Sequence, residues 1–316
     1  MSRILRVAAA QMGPNPRDMP RDVILERMIA LLDGAAKSGA RLVVFPELAF
    51  TTFFPRWLIE DEADLSRFYE QRMPGPSVQP LFERARTLGV GFYVGYAELT
   101  GSGRRFNSSV IVGPDGEMLL KYRKVHLPGS KEPRPAQRYQ QLEKRYFLPG
   151  DLGFPVARGP ETWHRPVLGM LICNDRRWPE AWRCLGLQGV ELVCIGYNSA
   201  AYDPNGGNTE DSERRTFHST LAVQANAYFN STWAVSVAKA GDEDGSGLIG
   251  GSCIVSPDGI VVAQARSLDD EVLMADLDLD AGLQGRAPGK MFDLGLHRRP
   301  DQYQRIVDQA GIEAPA

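Results

Sequence analysis

The sequence predicts an α/β fold in which helices lie outside two sheets, and three observations carry that reading. Short, nearly continuous apolar runs bounded by breakers alternate with stretches of helical periodicity, the pattern of strands buried on both faces. Two segments, NSSVIVGPDGEMLLKYR at 107–123 and GGSCIVSPDGIVVAQAR at 250–266, repeat a strand, a Pro-Asp-Gly turn and a second strand. Their likeness predicts a pair of sheets built from similar halves. The chain has 316 residues, is 43% hydrophobic and contains no dividing linker, so residues 1–316 are expected to form one domain around a large core.

Taken in order, ILRVAAAQM reads as the first strand. VILERMIALLDGAAKSGA then sets Val23, Ile24, Met28, Leu31, Leu32 and Ala35 on one helical face before a glycine stop. RLVVFPE is a short buried strand that ends at Glu47. A helix in SVQPLFERARTLG and a strand in GVGFYVGYAEL lead into the first hairpin, which runs out through KYRKVHLPG. Residues 128–166, rich in proline, glycine and charge, are the longest irregular segment, and loops of that length in compact domains are usually functional or disordered. PVLGMLICND is a strand that stops at Cys173, PEAWRCLGLQG a helix opened by Pro179, and VELVCIGYN the next strand. GSGLIG at 245–250 fits a nucleotide-binding spacing but does not join a strand to a helix, so it reads as a loop.

Composition narrows the function. The 36 basic and 39 acidic residues give a formal charge of -3 with no basic block, which argues against a nucleic-acid partner. The opening MSRILRVAAAQMG is interrupted by Arg6 and Gln11, and no later run is long enough for a membrane span, so a cytoplasmic protein with no membrane partner is expected. No CxxC pair occurs, and Cys184, Cys194 and Cys253 sit in apolar patterns as expected core residues. His126, His164, His218 and His297 lack ligand spacing, so no metal site is expected.

Cys173 differs from the other cysteines because its strand ends there and Asn174, Asp175, Arg176 and Arg177 follow. A strand-to-helix elbow exposes a nucleophile and turns backbone N–H groups toward it, which favours a thiolate and a developing oxyanion. With no histidine in an obvious triad context, the base is expected to be a carboxylate in a dry pocket. Glu47 fits, since it ends an apolar strand and is followed by the apolar LAFTTFFP, where an unused carboxylate is costly. Alternation along KYRKVH puts Tyr122, Lys124 and His126 on one face, so Lys124 is able to point inward and hold an oxyanion. Two adjacent arginines beside a nucleophile suit a substrate carboxylate, and a surface pair with Glu180 is the alternative that local sequence leaves open.

Glu47, Lys124 and Cys173, together with FPELAFTTFFPRW, KYRKVHLPG, LEKRYFLPGDLGFPV, ICNDRRWPEAWR and GYN, resemble the nitrilase superfamily, and within it the N-carbamoyl-D-amino acid amidohydrolases. The resemblance runs across nearly the whole chain. It implies a four-layer αββα sandwich of two mixed sheets covered by helices, without metal or organic cofactor. It also implies a homodimer or homotetramer whose interface includes the tail from about 285 to 316. Glu143 becomes a second active-site carboxylate near Lys124, and Asn174, Arg176, Arg177, Asn198, Ser199 and His218 become substrate ligands. The implied reaction is cysteine-dependent hydrolysis of an N-carbamoyl-D-amino acid to the amino acid, ammonia and carbon dioxide. An amidase or a carbamoyl-β-amino acid hydrolase with the same triad is the alternative, and a non-catalytic binding protein a remote one. Ser130 in HLPGSKE and Gln141 in QQLEKRYF stand where the resembling family has histidines, which bears on the side chain the substrate carries.

Overall fold

The computed structural model describes residues 2–203, 211–286, 291 and 293–314. Its strands are β1 (Ile4–Gln11), β2 (Leu42–Val44), β3 (Tyr69–Glu70), β4 (Gly91–Leu99), β5 (Arg105–Val112), β6 (Met118–Arg123), β7 (Val156–Arg158) and β8 (Val167–Ile172). They continue with β9 (Leu192–Tyr197), β10 (Trp233–Ala238), β11 (Ala240–Glu243), β12 (Ser246–Ile249), β13 (Cys253–Val255), β14 (Val261–Gln264) and β15 (Glu271–Asp278). The helices are α1 (Arg21–Lys37), α2 (Glu62–Ser66), α3 (Gln79–Leu88), α4 (Glu143–Tyr146), α5 (Pro179–Gly186), α6 (Ser212–Asn230) and α7 (Gln304–Asp308).

One sheet runs β15-β1-β2-β4-β5-β6, with β3 joined to β4, and the other runs β14-β13-β10-β9-β8-β7. Each has a parallel centre, β1-β2-β4 and β10-β9-β8, flanked by antiparallel strands. The two Pro-Asp-Gly hairpins are β5–β6 and β13–β14, one at an edge of each sheet, with Gly116 and Gly259 at positive φ in their turns. The similar halves read from the sequence are therefore two mixed sheets, in the αββα arrangement.

The layering follows from side-chain alternation. In β1 and β2, Val7, Ala9, Leu42 and Val44 enter the core between the sheets, where they meet Leu168, Met170 and Ile172. Their neighbours Ala8, Ala10, Val43 and Phe45 face the other way, onto Ile24, Met28 and Leu32 of α1 and Phe82 of α3. On the second sheet, Val223 and Ala227 of α6 and Trp182 of α5 cover the outer face. Both faces of the central strands are dry, which is why those strands read as unbroken apolar runs.

Several local expectations are corrected. The buried stripe of α1 is Ile24, Leu25, Met28, Leu32 and Ala35, while Val23 is exposed; a 3.6-residue turn carries Leu25, not Val23, onto the core. Cys184 is exposed because α5 buries Ala181, Trp182 and Leu185 instead. The 128–166 segment contains α4 and β7, and GSGLIG supplies β12, the second strand of a two-stranded hairpin with β11. No helix among the described residues is long and apolar enough to cross a membrane. Of the tail expected in an oligomer interface, residues 287–290, 292 and 315–316 lie outside the described residues.

Candidate active site

Glu47 follows the carboxyl end of β2 and is wholly buried where the two sheets meet. Its backbone is admitted by two glycines: a Cβ on Gly95 in β4 would lie 2.7 Å from the Glu47 Cα, and one on Gly196 in β9 would lie 2.5 Å from its N. Nearby, Tyr93 ties the sheets together, its hydroxyl donating to the Leu171 carbonyl at 3.2 Å and accepting from the Gly196 N–H at 3.0 Å. The Glu47 carboxylate is held from both sides. Its Oε1 accepts from Lys124 Nζ and Asn107 Nδ2, both at 2.8 Å, and its Oε2 accepts from the Asn198 N–H at 3.0 Å and Asn198 Nδ2 at 3.2 Å.

Lys124 lies one residue beyond β6 and is also wholly buried; its backbone N–H donates to the Asn107 carbonyl at 2.8 Å. Its Nζ donates to Glu47 Oε1 and, at 2.5 Å, to Oε2 of Glu143 at the start of α4. Burial alone disfavours the ammonium, but the charge that Cys173 carries once ionised and the carboxylates of Glu143 and Glu47 outweigh it and hold the Lys124 pKa well above its usual value. Glu143 is pushed up to about 7, first by burial and then by the Glu47 charge, against the pull of Lys124 and Asn107. Its Oε1 accepts from Gln141 Nε2 at 2.8 Å.

Cys173 sits immediately after β8 with φ of 49°, a left-handed backbone that a β-carbon makes costly and that turns the chain sharply into α5. Asp175 fixes this elbow. Its carboxylate accepts from the Tyr122 hydroxyl at 2.8 Å, the Ile172 N–H at 3.2 Å and the His126 N–H at 2.9 Å, so it ties the cysteine turn to the end of β6 that bears Lys124. Burial, with the Glu47 charge, pushes the thiol up to about 11, while Lys124 and Arg176 pull it down. At neutral pH it is therefore an S–H, which donates to the Asn198 carbonyl at 3.3 Å, and it requires a base to become a nucleophile.

Arg176 is fully buried beside Cys173. Its Nη1 donates to the Cys173 carbonyl at 2.7 Å and lies 3.8 Å from Sγ, while its Nη2 donates to the hydroxyls of Ser199 at 3.0 Å and Ser219 at 2.9 Å. The guanidinium lies over the Tyr197 ring, 4.4 Å from its centroid. Its Nε has no hydrogen-bond partner, and among the described residues no carboxylate pairs with it. Asn198 Oδ1 is a second buried atom without a partner.

The expected residues thus fall into two groups. Glu47, Lys124, Glu143, Cys173, Arg176, Asn198 and Ser199 are linked by the contacts above, and Asn174 joins at the elbow by donating to the His126 carbonyl at 3.1 Å. Arg177 and His218 are exposed, and neither lines the cavity of about 470 Å³ that opens beside Asn198 and Gln141. Sequence reasoning assigned no task to Asn107 or Tyr93, and left Asp175 unused. The polar run Asn107, Ser108 and Ser109 inside the strand FNSSVIV was the available signal for one of them. A dry carboxylate, ammonium and thiol in one cluster are equipped for proton abstraction, attack on a carbonyl and stabilisation of the resulting oxyanion.

A family model described as carbon-nitrogen hydrolase matches residues 6–285. The chain belongs to the carbon-nitrogen hydrolase family. A nitrilase from Pyrococcus abyssi is 31% identical to this hydrolase over 303 residues, covering 96% of this chain and all of that one. An N-carbamoylputrescine amidase from Solanum lycopersicum is 29% identical over 325 residues, covering 98% and 97%. The crystal structure of a carbon-nitrogen hydrolase from Helicobacter pylori G27 superposes with a TM-score of 0.81 at 22% identity, covering 97% of this chain and 99% of that one, so the two share a fold. The hydrolase accordingly belongs to the nitrilase superfamily, and its chemistry is hydrolysis of a non-peptide, amide-type carbon–nitrogen bond.

Proposed function

We propose that this hydrolase cleaves the carbamoyl C–N bond of N-carbamoyl-D-amino acids, with Cys173 as nucleophile, Glu47 as general base, and Lys124 and the N–H after the cysteine as oxyanion donors. Glu47 removes the thiol proton, Sγ attacks the ureido carbonyl, and the tetrahedral oxyanion collapses as Glu47 returns its proton to the departing amine. The amino acid leaves and a carbamoyl group remains on Sγ. Water, deprotonated by Glu47, attacks that carbonyl and releases the thiolate, which regains the proton; the carbamic acid set free breaks down to ammonia and carbon dioxide. Glu143 keeps Lys124 in place throughout.

The observation that carries the carbamoyl amino acid reading is Arg176. A guanidinium wholly out of water, beside the thiol and lacking a carboxylate partner among the described residues, is costly unless the substrate supplies the negative charge. Its unpaired Nε is a donor for an α-carboxylate, and the unpaired Asn198 Oδ1 is an acceptor for a ureido N–H. Asn174, Ser199, Arg177 and His218 are assigned supporting contacts on the resemblance alone, as is the preference for the D enantiomer. Homodimer or homotetramer assembly is part of the same proposal, supported by the exposed Leu187, Leu221, Tyr228 and Phe229 on and beside α5 and α6, and light scattering tests it. The function is tested by ammonia release from a panel of N-carbamoyl-D- and L-amino acids, β-ureido acids and simple amides. Preference for the first class supports it, and preference for β-ureido acids or simple amides moves the assignment to those substrates.

A further inference from the structure

Behind the loop that follows Glu47 lies a second group of buried charges that the reaction does not use. Lys239, just after β10, and Glu243, the last residue of β11, are wholly buried, and Arg56 is 5% exposed. Glu243 Oε1 accepts from Lys239 Nζ at 2.7 Å, and its Oε2 accepts from Arg56 Nη1 at 3.1 Å. A buried ion pair adds little net stability, because desolvation offsets the attraction, and β11 and β12 form a small sheet of their own outside the two large ones. Neither stability nor sheet pairing accounts for charge at this place.

Further bonds run from this group to loop backbone. Lys239 Nζ donates to the Thr51 carbonyl at 2.9 Å, Glu243 Oε2 accepts from the Phe53 N–H at 3.0 Å, and Glu243 Oε1 accepts from the Asn15 N–H at 3.0 Å. Asn15 passes the hold on, its Nδ2 donating to the Ala49 carbonyl at 3.1 Å. Residues 49–53, which lead away from Glu47, are thus pinned along one side. The far end of the same loop carries the other carboxylate. The Gln140 N–H donates to the Arg56 carbonyl and the Leu142 N–H to the Pro55 carbonyl, both at 2.8 Å, and Glu143 is the next residue.

We infer that Glu243, together with Lys239, is a positioning residue for the hydrolysis: it fixes residues 47–55 and, through them, the backbone that enters Glu143, so that both carboxylates converge on Lys124. The inference rests on the roles proposed for Glu47, Lys124 and Cys173, and not on which substrate they act upon. Glu47 and Glu143 accept from one ammonium, Lys124 Nζ, at 2.8 and 2.5 Å, so a shift of the loop alters their separation and the aim of Glu47 at the thiol. Arg176 bonds to Cys173, Ser199 and Ser219 and not to this loop, so substrate binding should be spared.

The test compares wild type, Glu243→Gln and Lys239→Met in kcat and KM for N-carbamoyl-D-alanine, in iodoacetamide alkylation read by mass on the Cys173 peptide, and in urea unfolding. Glu243→Gln keeps the shape but weakens the hold on Phe53 and Asn15. Lys239→Met leaves Arg56 and Glu243 as a matched pair, which preserves the fold, and releases the Thr51 carbonyl. Against the roughly hundredfold cost of a 1 Å displacement, kcat should fall about tenfold in Glu243→Gln and about threefold in Lys239→Met, with KM within about twofold of wild type and alkylation slowed in step. A lower urea midpoint beside wild-type kcat and alkylation overturns the inference and leaves the group a structural brace. A raised KM with kcat kept also overturns it, because the group then serves substrate binding. Should Glu243→Gln not fold, Lys239→Met decides by the same readouts. Should N-carbamoyl-D-alanine not turn over, the proposed substrate falls separately and alkylation, which needs no substrate, decides: a slowed rate sustains the inference and a wild-type rate removes it.

Discussion

Replacing Arg176 separates two contributions that the structure allows to be estimated apart. Arg176→Ala deletes the bonds to the Cys173 carbonyl, Ser199 and Ser219 and the stacking on Tyr197, and it leaves a void in a fully buried site. That part costs about 2–5 kcal/mol of stability by analogy with other buried truncations and affects every substrate alike. The remaining part is the charge-assisted bond from the unpaired Nε to an α-carboxylate, about 1.5–3 kcal/mol, or roughly tenfold to a hundredfold in specificity constant. The assay is the ratio of kcat/KM for N-carbamoyl-D-alanine to that for butyramide, in wild type, Arg176→Ala and Arg176→Lys. The ratio should fall by that factor in Arg176→Ala and by less in Arg176→Lys, which keeps the charge without the planar fork. Arg177→Ala should change the ratio less, since Arg177 is exposed and surface charge pairs are weak. Equal falls on both substrates in Arg176→Ala would refute the carboxylate argument and leave Arg176 as a brace for the cysteine elbow.

Three further outcomes follow from the geometry. Glu47→Gln keeps the shape but removes the proposed base, so kcat should drop by about 10²–10⁴-fold and alkylation of Cys173 by iodoacetamide should slow with it; unchanged rates of either kind would place the base elsewhere. In Gly196→Ala the new Cβ would sit 2.5 Å from the Glu47 N and 2.6 Å from the Pro46 carbonyl carbon, backbone atoms that cannot swing aside, so Glu47 must shift. A displacement near 1 Å costs about a hundredfold in kcat/KM with the circular dichroism spectrum preserved, and wild-type activity would show that the strand gives way at no catalytic cost. Glu143, raised to about 7, should place a limb near that pH in the kcat/KM profile, rising as ionisation strengthens its grip on Lys124 and flattened in Glu143→Gln. The sign for stability is opposite: a carboxyl raised from 4.5 to about 7 stabilises the fold fully below 4.5, and that contribution is lost as pH rises through about 7, measurable by urea unfolding.

The central strands, their helices and both hairpins were legible because each sheet is covered on both faces, which writes continuous apolar runs into the sequence. Glu47 and Cys173 were legible for a related reason: each stands at the end of such a run, where a polar or reactive side chain has no packing role. Lys124 was legible from alternation, which turns it inward on the face of Tyr122 while Lys121 and Arg123 take the other face. Glu143 came from the resemblance, since nothing in LEKRYF marks it as the carboxylate that meets Lys124. Cys184 misled because an apolar neighbourhood in sequence does not say which helix face is covered. Asn107, Tyr93 and Asp175 act across the sheet interface or between an elbow and a distant strand end, and no local pattern reports such long-range pairings.

The most direct test compares wild type and Cys173→Ser for ammonia and D-alanine released from N-carbamoyl-D-alanine. The serine variant should fold as the wild type does, because the hydroxyl replaces the thiol at the same buried elbow, yet a neutral hydroxyl beside this carboxylate is a far weaker nucleophile. The account predicts equal molar release of the two products by wild type and none above background by the variant. Near-normal release by Cys173→Ser, or a wild type inert toward this substrate but active on simple amides, would contradict it.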